Sequence, residues 1–139
     1  MTQFVLDASV ALAWFLDEPV PTFALEVKSA LVGGAKALVP ALWQLEMANG
    51  LIVAERRRLL TSGEIALALI YLEQLQSHAI ETNTVPAPFR HAFITARDFT
   101  LSAYDAVYLN LARGEGLPLA TLDKSLQKAA GRAGVKLLH

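Results

Sequence analysis

The sequence predicts an α/β fold with a mainly parallel sheet covered by helices on both faces. Two observations carry this. Short apolar runs of strand length recur along the chain, and each is followed by a longer stretch whose apolar residues return at helical spacing. Strands that alternate with helices imply βα crossovers, which place neighbouring strands parallel and bury the sheet on both sides. A third observation bounds the answer: 139 residues without a low-complexity tract, internal repeat or linker read as a single domain, 1–139, large enough to bury one core.

Gln3 to Leu6 is the first strand and ends at Asp7. The Ala- and Leu-rich stretch that follows, interrupted at Pro19 and Pro21, is a helix. Thr22 to Val32 repeats the helical spacing until Gly33 and Gly34 stop it, and Lys36 to Val39 is a second strand closed by Pro40. A long helix runs from Ala41 to about Arg58. Thr61-Ser62-Gly63-Glu64 has the capping-box form and opens another, which reaches about His78. Ala79 to Thr82 is a third strand. Helical patterns return at Pro88 to Phe99 and Ser102 to Arg113, Leu117 to Thr121 is a further strand, Asp123 to Ala133 a helix, and Val135 to Leu138 a last strand.

Composition excludes several function classes. With no cysteine there is no disulfide and no thiolate ligand or nucleophile, which suits a reducing cytosol, and His78, His91 and His139 lack zinc-ligand spacing. The apolar stretch from Ala8 to Leu16 is far shorter than the roughly 18 residues of a membrane span, and no basic residue precedes it as in a secretory signal. The formal net charge of −1 gives no global attraction for nucleic acid, so any such contact must be local. Arg56-Arg57-Arg58 and the four-residue series Lys124, Lys128, Arg132, Lys136 offer local patches, or are simply solvated helix faces. A hydrophobic share of 54% is more than one core of this size readily hides and hints at a partner.

Of four notable carboxylates, Asp7 and Asp123 stand just after strands, where open parallel sheets place their functional crevice, and Glu46 and Asp105 stand on interior helix faces. Asp7 ends the first strand, where an ionised group needs a cation or donors; it, or Ser9, can also cap the next helix. Glu46 falls among apolar residues of one helical face, either reaching solvent at its edge or turned into a site. Asn49, one turn on, is a supporting partner or an ordinary interior polar residue. Asp105 occupies the third helical position of Ser102-Ala103-Tyr104-Asp105, a capping pattern, and Asp123 lies between a strand and a helix where it or Thr121 can cap. Each has a local structural explanation, yet none of these explains why all four recur at sheet ends and interior helix faces. Clustered carboxylates raise one another's pKa unless a cation neutralises them, so the joint pattern points to a hard divalent metal, Mg2+ or Mn2+, and to metal-dependent hydrolysis.

Phe4-Val5-Leu6-Asp7-Ala8-Ser9, Glu46 within Leu45-Glu46-Met47-Ala48-Asn49, Leu101-Ser102-Ala103-Tyr104-Asp105-Ala106 and Thr121-Leu122-Asp123 resemble, in order and spacing, the motifs of PIN-domain nucleases. The Ser-Ala-Tyr-Asp-Ala segment is similar to that of VapC toxins of type II VapBC toxin–antitoxin pairs. The resemblance implies a three-layer α/β/α sandwich, a Mg2+- or Mn2+-dependent endoribonuclease acting on RNA, a homodimer, and a small VapB-like antitoxin that blocks the active site. It makes Asp7 and Asp105 the direct metal ligands, with Glu46 and Asp123 completing the cage or acting through water, and Ser9 and Thr121 supporting it. Lys124, Ser125 and Leu126 stand where some family members carry a further acidic residue, which bears on whether a second metal binds. The alternatives are a PIN nuclease of RNA processing, a catalytically silent PIN-like interaction module, and a haloacid-dehalogenase-like phosphatase. Against the last, Ser9 stands where the second Asp of a D-x-D motif would be.

Overall fold

A computed structural model describes residues 2–139. The elements follow in the order β1 (Gln3–Leu6), α1 (Ala8–Leu16), α2 (Thr22–Val32), β2 (Lys36–Pro40), α3 (Leu42–Arg56), α4 (Ser62–His78), β3 (Ile80–Asn83), α5 (Phe89–Phe99), α6 (Ala103–Glu115), β4 (Leu119–Ala120) and α7 (Lys124–Ala133). The strands form one sheet in the order β3-β2-β1-β4, and every pairing is parallel. Chain order thus runs outward from β1 to β3 and then jumps back across β1 to β4. Right-handed crossovers put the connections on opposite faces before and after such a reversal. Accordingly α1 packs on α2 and α3, and α3 on α4, while α6 lies against β1 and β2 with α5 and α7 beside it. The result is the three-layer α/β/α sandwich.

The central strand explains itself. Phe4, Val5 and Leu6 are fully buried because helices cover both faces, so the strand reads as a continuous apolar run rather than an alternation. Ala37 and Val39 of β2 are equally inaccessible, and Trp43 of α3 and Tyr108 of α6 are the largest side chains completely enclosed. Gly50 lets α3 approach α1: a Cβ there would come within 2.5 Å of a Leu12 methyl.

Three of the expected strands change. The last one, Val135 to Leu138, is reduced to a single parallel bridge between Leu137 and Leu119, made by Leu119 N–H to Lys136 C=O and Leu138 N–H to Leu119 C=O, each 2.9 Å. Its neighbour offers little to pair with, since the strand expected over Leu117 to Thr121 spans only Leu119–Ala120. Pro118 has no N–H to donate, and the Thr121 carbonyl accepts from the Gln127 side chain instead of from a strand. Strand β3 also begins one residue later than expected, because the Ala79 N–H is still bonded to Leu75 C=O at the end of α4.

Candidate active site

The reversal of strand order falls between β1 and β4, and a crevice outside the carboxyl ends of the strands opens at such a point. Asp7 leaves β1 there, and Thr121 and Asp123 leave β4 there. The two loops are stitched together. Ser9 Oγ and Thr121 Oγ1 both donate to Asp7 Oδ2, at 2.6 and 2.7 Å, while Ser9 Oγ accepts from Leu122 N–H and Thr121 Oγ1 accepts from Asp123 N–H, each at 3.0 Å. Asp7 is only 4% exposed, so these hydroxyls are what stands in for its lost water.

Asp123 caps α7 by accepting from Leu126 N–H at 2.9 Å, which is the local role its position allowed. The capping pattern at α6 is made by half. Ser102 Oγ accepts from Asp105 N–H at 3.0 Å, but the reciprocal bond seen at α4, where Thr61 N–H donates to the Glu64 carboxylate, has no counterpart at Asp105. The Asp105 carboxylate therefore faces the other acidic groups. Glu46 is brought in by α3, half-buried, and accepts a 2.5 Å hydrogen bond from the Tyr108 hydroxyl of α6. Asn49 is exposed and takes no part in this contact; the partner of Glu46 is Tyr108.

Sequence reasoning passed over Tyr108 as part of an apolar run, although it lies three residues after Asp105 and hence on the same helical face. Burial and the neighbouring Glu46 push its hydroxyl well above the usual phenol range, so it remains a donor.

The electrostatics tie the four carboxylates together. Burial raises the pKa of Asp7 above the ordinary value, opposed by the Ser9 and Thr121 hydroxyls and reinforced by the charge of Asp123. Burial also raises Glu46, against the hydrogen bond from Tyr108, with the charges of Asp7 and Asp105 adding to it. Asp105 is pushed up to about 6, by burial first and then by Asp7 and Asp123. No lysine or arginine offsets this charge: the one ion pair among the described residues is Arg97 with Asp98, on the surface.

An all-oxygen donor set, largely withdrawn from water and short of positive charge, fits a hard divalent cation. Among the described residues no three such groups converge as a ready-formed metal cluster. The chemistry of the donors matches such an ion, while their side chains are not gathered around a single point.

Beside this crevice lies an open, mostly apolar groove of about 690 Å³ between the carboxyl ends of β2 and β3 and helices α5 and α6, lined among others by Leu42, Val85, Pro86, Tyr104 and Val107. None of the four carboxylates lines it.

Residues 4–132 match the model of the PIN domain family. Among solved structures, PAE2754 from Pyrobaculum aerophilum superposes with a TM-score of 0.70 at 23% identity, covering 92% of this chain and 84% of that one. FitAcB from Neisseria gonorrhoeae gives 0.65 at 18% identity over 98% and 96% of the two chains. A domain of a functionally unknown protein from Methanocaldococcus jannaschii gives 0.60 at 14% over 100% and 92%. At these identities the likeness is one of fold. No curated protein matches the sequence. With the family model spanning nearly the whole chain, the chain belongs to the PIN domain family.

Proposed function

We propose that this protein is a Mg2+- or Mn2+-dependent endoribonuclease and the toxin component of a type II toxin–antitoxin pair, acting in the cytoplasm. PIN domains are in general metal-dependent nucleases. One observation carries the reading for this chain: Asp7, Glu46, Asp105 and Asp123 bear on one another electrostatically at the head of the sheet, and no basic side chain is ion-paired with them.

In this reading Asp7 and Asp105 are the direct ligands, and Glu46 and Asp123 complete the site or act through water. A divalent ion held by these carboxylates would supply charge neutralisation at the scissile phosphate and a lowered water pKa. The chain's own residues do the rest. Ser9 and Thr121 fix the Asp7 carboxylate through Oδ2, Tyr108 fixes Glu46, and the Ser102 cap sets the height of Asp105 at the start of α6. The exposed apolar side chains Val85 and Tyr104, which line the groove, and Phe89 and Phe93 on helix α5, support the remaining part of the proposal, a second copy of the chain and a small antitoxin as partners.

The test is cleavage of total bacterial RNA. Chelation by EDTA should stop it and added Mg2+ or Mn2+ restore it, and Asp105→Asn should abolish it while the protein still folds, because the amide keeps a polar group at the helix start but not the charge. Wild-type cutting by the variant, or full activity in excess chelator, removes the assignment. The toxin role is tested separately: expression alone should arrest growth, and a short protein encoded beside it should relieve the arrest. Cleavage without growth arrest would leave a PIN nuclease of RNA processing instead.

A further inference from the structure

A centre built of four carboxylates repels the polyanion it is proposed to cut, and a net charge of −1 gives no attraction at long range. Substrate must therefore be held by positive charge placed near the centre but outside it. Helix α7 has that placement. It starts at Asp123, whose carboxylate caps it, and Lys124, Lys128 and Arg132 follow at four-residue spacing, all exposed. Leu126, Ala129 and Ala130 on the opposite face are buried in the core, so the basic face is fixed outward. No apolar side chain is exposed between Lys124 and Arg132, which separates this surface from the apolar groove.

At its far end the helix meets a second feature. The Arg132 guanidinium lies 5.4 Å from the centroid of the Phe99 ring, and Arg113 of α6 lies 5.7 Å from the same centroid. Phe99 is itself packed on the core, so one aromatic ring holds two guanidiniums from different helices. Among the described residues neither arginine is ion-paired. Two like charges gathered on one ring without a protein anion form a site for an external one, and the combination of guanidinium and aromatic surface suits single-stranded nucleic acid.

We infer that the outer face of α7, from Lys124 beside the carboxylates through Lys128 to the clamp of Arg132, Arg113 and Phe99, is the track that holds the RNA backbone leading to the scissile phosphodiester. The inference rests on the nuclease reading above and adds to it where the strand lies. Its length is suitable: at 1.5 Å per residue the helix covers about 13 Å from Asp123 to Arg132. That is enough for the three basic side chains to reach successive phosphates of one strand.

The experiment measures binding of an end-labelled, mixed-sequence single-stranded RNA by fluorescence anisotropy, in EDTA to prevent cutting, across a salt series. The triple variant K124Q/K128Q/R132Q should bind roughly tenfold or more weakly at low salt. Its slope of log affinity against log salt should be shallower by about 2, from about 0.7 for each of three lost phosphate contacts. Its melting temperature and Mn2+ binding should match wild type. The comparison variant R56Q/R57Q/R58Q, at the distant end of α3, should leave affinity and slope unchanged. Wild-type affinity and slope in the α7 variant, or a loss carried by the α3 variant instead, would overturn the track while Mn2+-dependent cleavage by the wild type left the nuclease reading standing. A wild type that binds Mn2+ yet neither binds nor cuts RNA would remove both.

Discussion

The contact between Tyr108 and Glu46 shows how one residue can set the properties of a site it does not complete. The tyrosine is fully buried, so its ring has one position, and its hydroxyl keeps its proton because burial and Glu46 both disfavour the phenolate. One carboxylate oxygen of Glu46 is thereby committed at 2.5 Å, and the other is left to the site. Tyr108→Phe preserves the packing and removes only the donor. Partners of this kind commonly change metal affinity by about 10- to 100-fold, and the variant is expected to weaken Mn2+ by that order at a stability cost of about 1 kcal/mol. Calorimetric titration with Mn2+ alongside thermal melts checks both. Unchanged affinity would mean that Glu46 needs no holding. The sequence put Glu46 among the apolar residues of one helical face, either reaching solvent or turned into a site, and offered Asn49 through helical spacing alone as a supporting partner or an ordinary interior polar residue. Spacing reports neighbours within a helix, whereas the hydroxyl that holds Glu46 comes from another helix 62 residues away.

Helix ends make the same distinction between local and distant information. The Thr61–Glu64 box is complete and was legible, because four consecutive residues contain all of its partners. Ser102 and Asp123 were legible as caps for the same reason. What could not be read was that the Asp105 carboxylate is left unbonded to the Ser102 backbone and faces Asp7 and Asp123, since that depends on β1 and β4 arriving from elsewhere. The shortness of β4 and the loss of the last strand have the same origin: a strand exists only where another strand pairs with it. Two cap substitutions separate structure from function. Thr61→Ala and Ser102→Ala should each cost about 1 kcal/mol in denaturant unfolding. Only Ser102→Ala should also weaken Mn2+ binding and cleavage, because only α6 carries a site carboxylate at its first turn. Equal effects on Mn2+ binding would mean that the caps act through global stability alone.

For the molecule as a whole, the carboxylate cluster is a fault in stability, and under the proposed function a bound cation is what would correct it. Asp105 has an ordinary pKa of 3.8 and is pushed up to about 6 in the folded protein, and Asp7 and Glu46 are raised as well. Between those two values the folded state holds more protons at Asp105 than the unfolded state does. Stability therefore falls as pH rises through this window, with the penalty absent below about pH 4 and fully present above about pH 6. This is the reverse of the usual salt-bridged carboxylate, whose contribution is lost as pH falls. Under the proposed function a divalent ion would bind the deprotonated, folded form in competition with these protons, so its stabilisation is expected to grow as pH rises through the same window. The melting temperature of the metal-free protein in EDTA should accordingly drop between about pH 4 and pH 7. Saturating Mn2+ should flatten or reverse that trend. Asp105→Asn, which cannot ionise, should show a smaller drop in EDTA and a smaller response to Mn2+. The quantity to follow is the difference in melting temperature between wild type and variant. It should move against the wild type as pH rises from about 4 to about 6, because only the wild type carries a group whose ionisation the fold opposes in that window. A difference that stays constant across the range would mean that Asp105 ionises in the fold as freely as in water, and the electrostatic case for a cation at the head of the sheet would fall with it.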